Sequence, residues 1–225
     1  NTLQYAYQTS WGVSTRLIGA VIMVHDDDEG LVLPPYVAPT QIVIIPIQGQ
    51  KEEVIKASND LYASLKQAGY RVSLDDSSKT AGWKFAEYEM KGVPVRIEVG
   101  PRDLERGEVT LVTRHNREKQ QVKLSDVQSL IPTLLENMHQ SLYQNAVKQM
   151  QDNTYEAKTY DEFKDFIKRG GYVAMSIADE EAEIQIKKDT TATARVIPFE
   201  QKLITDVCPV TGRKAQQTIW FARAY

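Results

Sequence analysis

The sequence has little cysteine, no long apolar run and no excess of positive charge. Cys208 is its only cysteine among 225 residues, which excludes an internal disulfide and a four-thiolate zinc site. This cysteine usage fits a reducing compartment, and we expect the cytoplasm. No run of about 18 apolar residues occurs, so we expect no membrane span. The net charge of −3 provides no global basic field, although a local basic patch could still bind RNA.

What the sequence does contain is typical of globular domains. Hydrophobic residues make up 42% and charged residues 25%, and 225 residues are enough for one large domain or two to three small ones. At the start of the chain, Leu3, Tyr5 and Tyr7 alternate with Gln4, Ala6 and Gln8, which predicts a strand. Because the sequence begins inside this strand, we expect it to be a piece of a larger protein.

The pattern over residues 16–24 predicts a helix that starts at Ser14 or Thr15 as its cap. Its apolar side chains should form a buried stripe, which comprises Leu17, Ile18, Val21 and Ile22. Three prolines at positions 34, 35 and 39 then predict an extended crossing between domains.

The middle of the chain alternates between strand and helix patterns. Strands are predicted at residues 40–47, 70–76, 93–101, 107–115 and 119–124, and helices at 51–68, 79–92 and 125–150. Thr80 is the predicted cap and Gly92 the predicted end of the second helix, and Ser125 is the predicted cap of the third. This order predicts an α/β domain with a mixed five-stranded sheet.

From residue 152 onward the pattern predicts a small α+β domain. Helices are predicted at residues 159–169 and 179–189, and strands at 170–177, near 195–199 and near 217–222. The chain ends in aromatic residues up to Tyr225, which indicates a docked tail that delivers a carboxylate to a defined place.

Small polar residues crowd around Trp11 in the stretch TSWGVSTR, residues 9–16. Gly12 allows close approach of the backbone to a ligand beside an aromatic wall. Ser14 and Thr15 offer hydroxyls and amides at a helix start, and Arg16 offers a charged fork, all suited to phosphate. The stretch therefore predicts a pocket for a nucleotide or an anionic substrate. The alternative is a capped helix that carries a surface arginine.

A second set of residues could bind single-stranded RNA. Lys84, Arg96 and Arg102 are cations near aromatic residues, and Glu98 is an acceptor on the same strand face as Arg96. Stacking on aromatic rings together with hydrogen bonds to base edges is how such RNA is recognised. The alternative is that the aromatic rings anchor a core helix while Glu98 pairs with Arg96 or Arg102.

The acidic cluster HDDDEG, residues 25–30, suggests hard ligands for a divalent metal. Consecutive residues on a helix point in different directions, however. We therefore expect a solvated helix end at this position.

Three stretches together resemble prolyl-tRNA synthetases of the archaeal/eukaryotic-like type, which also occurs in some bacteria. These are residues 6–47, residues 82–103 and the final FARAY. The resemblance implies an edge of a class II catalytic domain at residues 1–38, an anticodon-binding domain at 39–144 and a C-terminal domain of the zinc-binding kind at 145–225.

The resemblance also implies roles for individual residues. TSWGVSTRLIGA corresponds to the third class II motif, in which Arg16 contacts the ATP triphosphate and acts in catalysis, and Ser14 and Thr15 belong to the ATP site. Ser10, Trp11 and Gly12 would line the proline pocket. Lys84, Arg96, Glu98 and Arg102 are the anticodon candidates, and Tyr225 would direct its carboxylate toward the active site.

The implied partners are tRNA(Pro), proline and ATP with Mg²⁺, in a homodimeric enzyme without membrane contact. Zinc is not expected, because only Cys208 stands at a cysteine-like position. The family usually has glycine at Asp26, so we expect a less tight turn there. Without the first two class II motifs, the chain should be inactive alone. The alternative function is a non-catalytic RNA-binding accessory protein that reuses the anticodon domain.

Overall fold

The computed structural model describes residues 4–223. The chain forms two compact units, and the boundary between them falls after Gln144. The predicted catalytic edge and the predicted anticodon domain both lie in the first unit, so their boundary near residue 38 stays a prediction. No helix within residues 4–223 has the length and apolar composition needed to cross a membrane.

The first unit contains a mixed five-stranded sheet with the strand order β2-β1-β3-β4-β5. Its strands are β1 (Ile42–Pro46), β2 (Val72–Leu74), β3 (Val95–Val99), β4 (Glu108–Thr113) and β5 (Lys119–Lys123). Strand β1 pairs in parallel with β2 and β3, whereas β3-β4 and β4-β5 are antiparallel. This confirms the predicted α/β fold with a mixed five-stranded sheet.

Helices α2 (Glu52–Gln67) and α5 (Val127–Asp152) cover one face of this sheet, and α3 (Ala81–Met90) covers the other. The first unit also contains α1 (Arg16–His25), none of whose residues is buried, and the short α4 (Pro101–Leu104). Ile42 and Ile44 of β1 pack into a core with residues of α2 and α5, while Val43 and Ile45 pack with Phe85 and Tyr88 of α3. Burial on both faces explains why β1 is an almost continuous apolar run.

Helix α3 begins and ends where the sequence predicted. The Thr80 hydroxyl accepts a hydrogen bond from the Trp83 amide at 3.3 Å, which satisfies a free N–H at the helix start. Gly92 ends the helical segment at a φ of +69°, a conformation that favours glycine. Both predictions are confirmed.

The second unit has a four-stranded sheet with the order β6-β7-β9-β8. Its elements are β6 (Thr154–Glu156), α6 (Tyr160–Arg169), β7 (Tyr172–Ile177), α7 (Glu180–Thr190), β8 (Ala192–Val196) and β9 (Gln217–Arg223). Phe163, Ile167, Ile186 and Phe221 are among the residues that fill its core. A capping box between Thr159 and Glu162 starts α6.

Two predictions for the start of the chain are wrong. Residues 4–14 form no strand, because a strand is stable only when a neighbour accepts its hydrogen bonds, and none within residues 4–223 does so. The apolar stripe of α1 is not buried either: Leu17 is 59% exposed and Ile18 is 64% exposed. The helix itself forms at Arg16–His25, close to its predicted bounds.

Two boundaries later in the chain also differ. A 3-10 turn at Leu124–Asp126 precedes α5, and the Ser125 hydroxyl bonds the Asp126 carboxylate at 2.7 Å rather than capping that helix. Strand β8 ends at Val196, before the predicted strand near 195–199 would. Pro198 has no N–H to donate to a sheet, which accounts for the earlier end.

Candidate functional site

The predicted nucleotide and proline residues lie together on one exposed segment. Residues 10–16 run into the first turn of α1 and are all exposed, with Trp11 at 91%. Thr15 occupies the N-cap position without a side-chain cap bond, and the Ser14 hydroxyl lies 3.4 Å from the Arg16 amide. This segment is therefore open to solvent in the described structure. Its hydroxyls and amides lie at the start of a helix, a position that favours phosphate binding.

The end of α1 is an extended turn. Asp26 caps the helix with φ −86° and ψ 166°, a conformation that any residue adopts. Asp26 therefore causes no backbone strain where the family usually has glycine.

The next acid, Asp27, forms a bidentate ion pair with Arg114. Arg114, whose residue is only 3% exposed, donates to both Asp27 carboxylate oxygens, at 2.7 and 2.6 Å. The hydrogen bond from Arg114 holds the pKa of Asp27 well below its usual range. Such a bidentate pair is both strong and geometrically specific. Residues 26–29 are exposed, as expected of a solvated helix end, and Asp27 is in addition anchored to Arg114.

Further contacts fix the chain beyond Asp27. Glu29 pairs with Arg117 at 3.0 Å, and Arg117 also reaches Asp27 at 3.2 Å. The Leu31 amide donates to the Met90 carbonyl, and the Leu33 amide donates to the carbonyl of Gly92.

This approach leaves no room for side chains at two glycines. A Cβ on Gly30 would lie 2.6 Å from the Met90 Cα, and one on Gly92 would lie 2.7 Å from the Leu31 carbonyl oxygen. The segment from Asp27 to Leu33 therefore packs directly on the end of α3.

Arg96 and Glu98 of β3 do meet, as the alternative interpretation proposed. The Arg96 Nε donates to Glu98 at 3.0 Å, and its NH1 group donates to Glu89 of α3 at 2.7 Å. The guanidinium also lies 4.1 Å from the Phe85 ring centroid. Arg96 is buried and its donors serve carboxylates of the protein itself.

Lys84 also forms its ion pair inside the protein, with Asp75. It is 3% exposed, lies 3.3 Å from the Asp75 carboxylate and donates to the Asp75 carbonyl at 2.8 Å. Burial acts to raise the pKa of Asp75, but hydrogen bonds from Ser77 and Lys84 together lower it below its ordinary value. Lys84 could not reach an RNA base without leaving Asp75 buried and unpaired.

Arg102 differs from the other candidates because it is exposed. It lies in α4, directly after the carboxyl end of β3. Helices α2 and α3 leave from opposite faces around β1, and the crevice outside the carboxyl ends of parallel strands at such a reversal is the usual ligand position of α/β sheets.

A polar cleft of about 500 Å³ lies at this edge of the sheet. It is lined in part by Gln48, Gln50, Ser77, Ser78, Lys79 and Thr80. Beside it, Trp83 is 47% exposed and Lys79 lies 5.1 Å from its ring centroid. These cleft residues follow β1 and β2, and ligands of α/β sheets usually bind outside the carboxyl ends of parallel strands. Their position was therefore predictable from the sequence, although they were not among the predicted site residues.

The second unit contains a compact turn around Cys208. The Cys208 amide donates to the Arg213 carbonyl at 2.7 Å, and the Gly212 amide donates back to the Cys208 carbonyl at 2.9 Å. Within residues 4–223, no three His, Cys, Asp or Glu side chains cluster as metal ligands would. The predicted role of Tyr225 lies outside the described residues.

Two parts of the chain match known protein families. Residues 41–134 match the family described as anticodon binding domain. Residues 160–225 match a second family, described as prolyl-tRNA synthetase, C-terminal. Two parts of the chain are thus similar to an anticodon-binding domain and to the C-terminal domain of prolyl-tRNA synthetases, and the chain as a whole matches the C-terminal half of proline--tRNA ligases.

Relatives agree with this assignment. The chain is 60% identical, over its whole length, to the proline--tRNA ligase of Aster yellows witches'-broom phytoplasma, and 46% identical to that of Lachnospira eligens. It spans about half the length of these relatives, 47% in each case. A crystal structure of prolyl-tRNA synthetase from Cryptosporidium parvum, complexed with L-proline and AMP, matches 99% of the chain and 48% of its own at 39% identity, with a TM-score of 0.93.

Replacing Lys84 with Met should destabilise the first unit by about 3–5 kcal/mol, because Asp75 would be left buried without its cation. The exposed Arg102→Ala variant should change stability by less than about 0.5 kcal/mol. Amide hydrogen exchange of β1 and β3 measures both effects. A Lys84→Met loss as small as that of Arg102→Ala would show that the pair is not structural.

Proposed function

We propose that this chain is part of a proline--tRNA ligase, which activates proline with ATP and transfers it to tRNA(Pro) in translation. The single observation that carries the proposal is the 60% identity to a curated proline--tRNA ligase over the entire chain. Residues 160–225 make the proposal more specific to proline, because the family that they match is described as prolyl-tRNA synthetase, C-terminal.

The exposed segment before α1 would supply one wall of the ATP and proline sites. Arg16 would stabilise the charge of the triphosphate, with Ser14 and Thr15 beside it, while Ser10, Trp11 and Gly12 would border the proline. Catalysis of this kind depends on positioning and electrostatics, without a protein nucleophile. Mg²⁺ would arrive with the ATP phosphates.

The anticodon would bind at the carboxyl edge of the five-stranded sheet. Arg102 is exposed there, and Trp83 offers a ring on which a base can stack beside the polar cleft. Of the four predicted anticodon residues, we assign direct contact to Arg102, which is exposed, whereas Glu98 already accepts from Arg96. Lys84 and Arg96 would support the site without contacting RNA, because both already form ion pairs with carboxylates of the protein.

Several features of the whole enzyme belong to the same proposal. It would be a cytoplasmic homodimer, and Tyr225 would direct its carboxylate to the active site. The archaeal/eukaryotic-like type is supported by the similarity to the Cryptosporidium parvum structure. Residues 1–38 would form the catalytic edge, residues 39–144 the anticodon domain and residues 145–225 the C-terminal domain.

Arg102→Ala in the full-length enzyme should weaken aminoacylation of tRNA(Pro) by about 5- to 150-fold, the effect of losing a base contact worth roughly 1–3 kcal/mol. Proline-dependent pyrophosphate exchange should persist, since it needs no tRNA. Lys119→Ala, an exposed change on β5, is the control and should leave both assays unchanged. Equal losses in both assays for Arg102→Ala would contradict the anticodon assignment.

The C-terminal domain should bind no zinc, because Cys208 lacks companion thiols and its turn is closed by backbone hydrogen bonds instead. Metal analysis of the purified chain after dialysis should find well below one zinc per molecule. One zinc per chain would overturn this proposal.

A further inference from the structure

An unbroken series of polar contacts joins the end of α1 to strand β3. The Asp27 carboxylate binds the Arg114 guanidinium, whose Nε donates to the Glu89 carbonyl at 2.9 Å. The Glu89 carboxylate in turn binds Arg96, which binds Glu98. We call Asp27, Arg114, Glu89, Arg96 and Glu98 the polar relay. It connects the helix that begins at Arg16 with the strand that leads to Arg102.

We propose that Arg114 and Glu89 are positioning residues that couple anticodon binding to the placement of α1 and its ATP-binding residues. This inference rests on the proposed function. Both residues are held by other residues of the first unit, so we assign neither a direct contact with substrate.

The guanidinium of Arg114 has little freedom to rearrange. It donates to both Asp27 oxygens, to the Glu89 carbonyl and, at 3.3 Å, to the Gly30 carbonyl. Its side chain is only 2% exposed, so water cannot replace a lost partner and each broken bond leaves a buried polar group. If α3 shifts at Glu89, Arg114 must therefore either move with it and displace Asp27, or oppose the shift through its ion pair with Asp27.

Helix α3 connects this point to the cleft. Its N-terminal end lies at the cleft, which Thr80 and Ala81 line, its first turn carries Trp83, and its last turn carries Glu89 and Met90. Ten residues make a rod of about 15 Å. The far end also contacts Leu31 and Leu33 through backbone hydrogen bonds. A base that stacks on Trp83, or a contact at Glu98, would thus act on the segment that follows α1 from two directions.

The test uses the full-length enzyme with Arg114→Lys and Glu89→Gln. Lysine keeps the charge of Arg114 but cannot form the bidentate pair, and glutamine keeps the Glu89 backbone carbonyl while removing the charge that holds Arg96. Arg213→Lys is the matched control, because Arg213 also binds two carboxylates, Asp179 and Glu181, outside the relay.

Aminoacylation is measured with tRNA(Pro) and with a transcript that carries a substituted anticodon, together with pyrophosphate exchange without tRNA. We expect each relay variant to reduce the preference for the cognate anticodon at least about fivefold, the lower end of usual coupling effects. The loss should fall on kcat for the cognate tRNA, with KM for tRNA and the exchange rate unchanged. Arg213→Lys should keep the full preference.

An unchanged anticodon preference in both relay variants would overturn the inference, as would a parallel loss of exchange, which indicates a merely structural role. If Arg114→Lys does not fold, Glu89→Gln decides the matter. A wild-type enzyme that fails to aminoacylate tRNA(Pro) would instead refute the proposed function itself, so the two failures are distinguishable.

Discussion

The arrangement of the first unit depends on the ion pair between Asp27 and Arg114. A guanidinium removed from water is strongly destabilising unless anions or carbonyls meet all of its donors. Asp27 meets two of them, and the chain that follows it supplies the Gly30 carbonyl. The segment from Asp27 to Leu33 is therefore held on the sheet by the electrostatic requirement of one buried side chain, in addition to its backbone hydrogen bonds.

This requirement links two parts of the chain that differ in character. Helix α1 keeps an exposed apolar face, and residues 10–16 before it stay open. The five-stranded sheet, in contrast, is buried on both faces by α2, α5 and α3. A weakly packed helix is thus attached to a rigid layer at its carboxyl end. In the proposed enzyme, that attachment would let tRNA binding at the sheet adjust the position of α1.

Local patterns predicted most of the fold, because they depend on residues close together in sequence. The apolar run of β1, the Thr80 cap and the Gly92 stop each act within one element. The pairing of Arg96 with Glu98 could likewise be expected from two residues on one strand face. The prediction of an N-terminal strand was wrong because a strand needs a neighbouring strand for stability, and local alternation of residues does not show whether one is present.

The relay could not be predicted in the same way. Asp27 and Arg114 lie 87 positions apart, and nothing local distinguishes Arg114 from Arg117 or Asp27 from its acidic neighbours. Lys84 and Arg96 suggested RNA binding by residue type, yet burial commits both to internal carboxylates. Residue type therefore located a polar region near the site, and only the three-dimensional arrangement separated the exposed Arg102 from the buried cations.

A double-mutant cycle with Asp27→Asn and Arg114→Met tests the central claim most directly. The quantity to measure is the opening free energy of the Leu31 and Leu33 amides by hydrogen exchange, since both donate to the end of α3. Our account expects a coupling of at least about 1 kcal/mol, as for residues in direct contact in one network. Losses that add to within about 0.5 kcal/mol would contradict it, because the pair would then not hold this segment on the sheet.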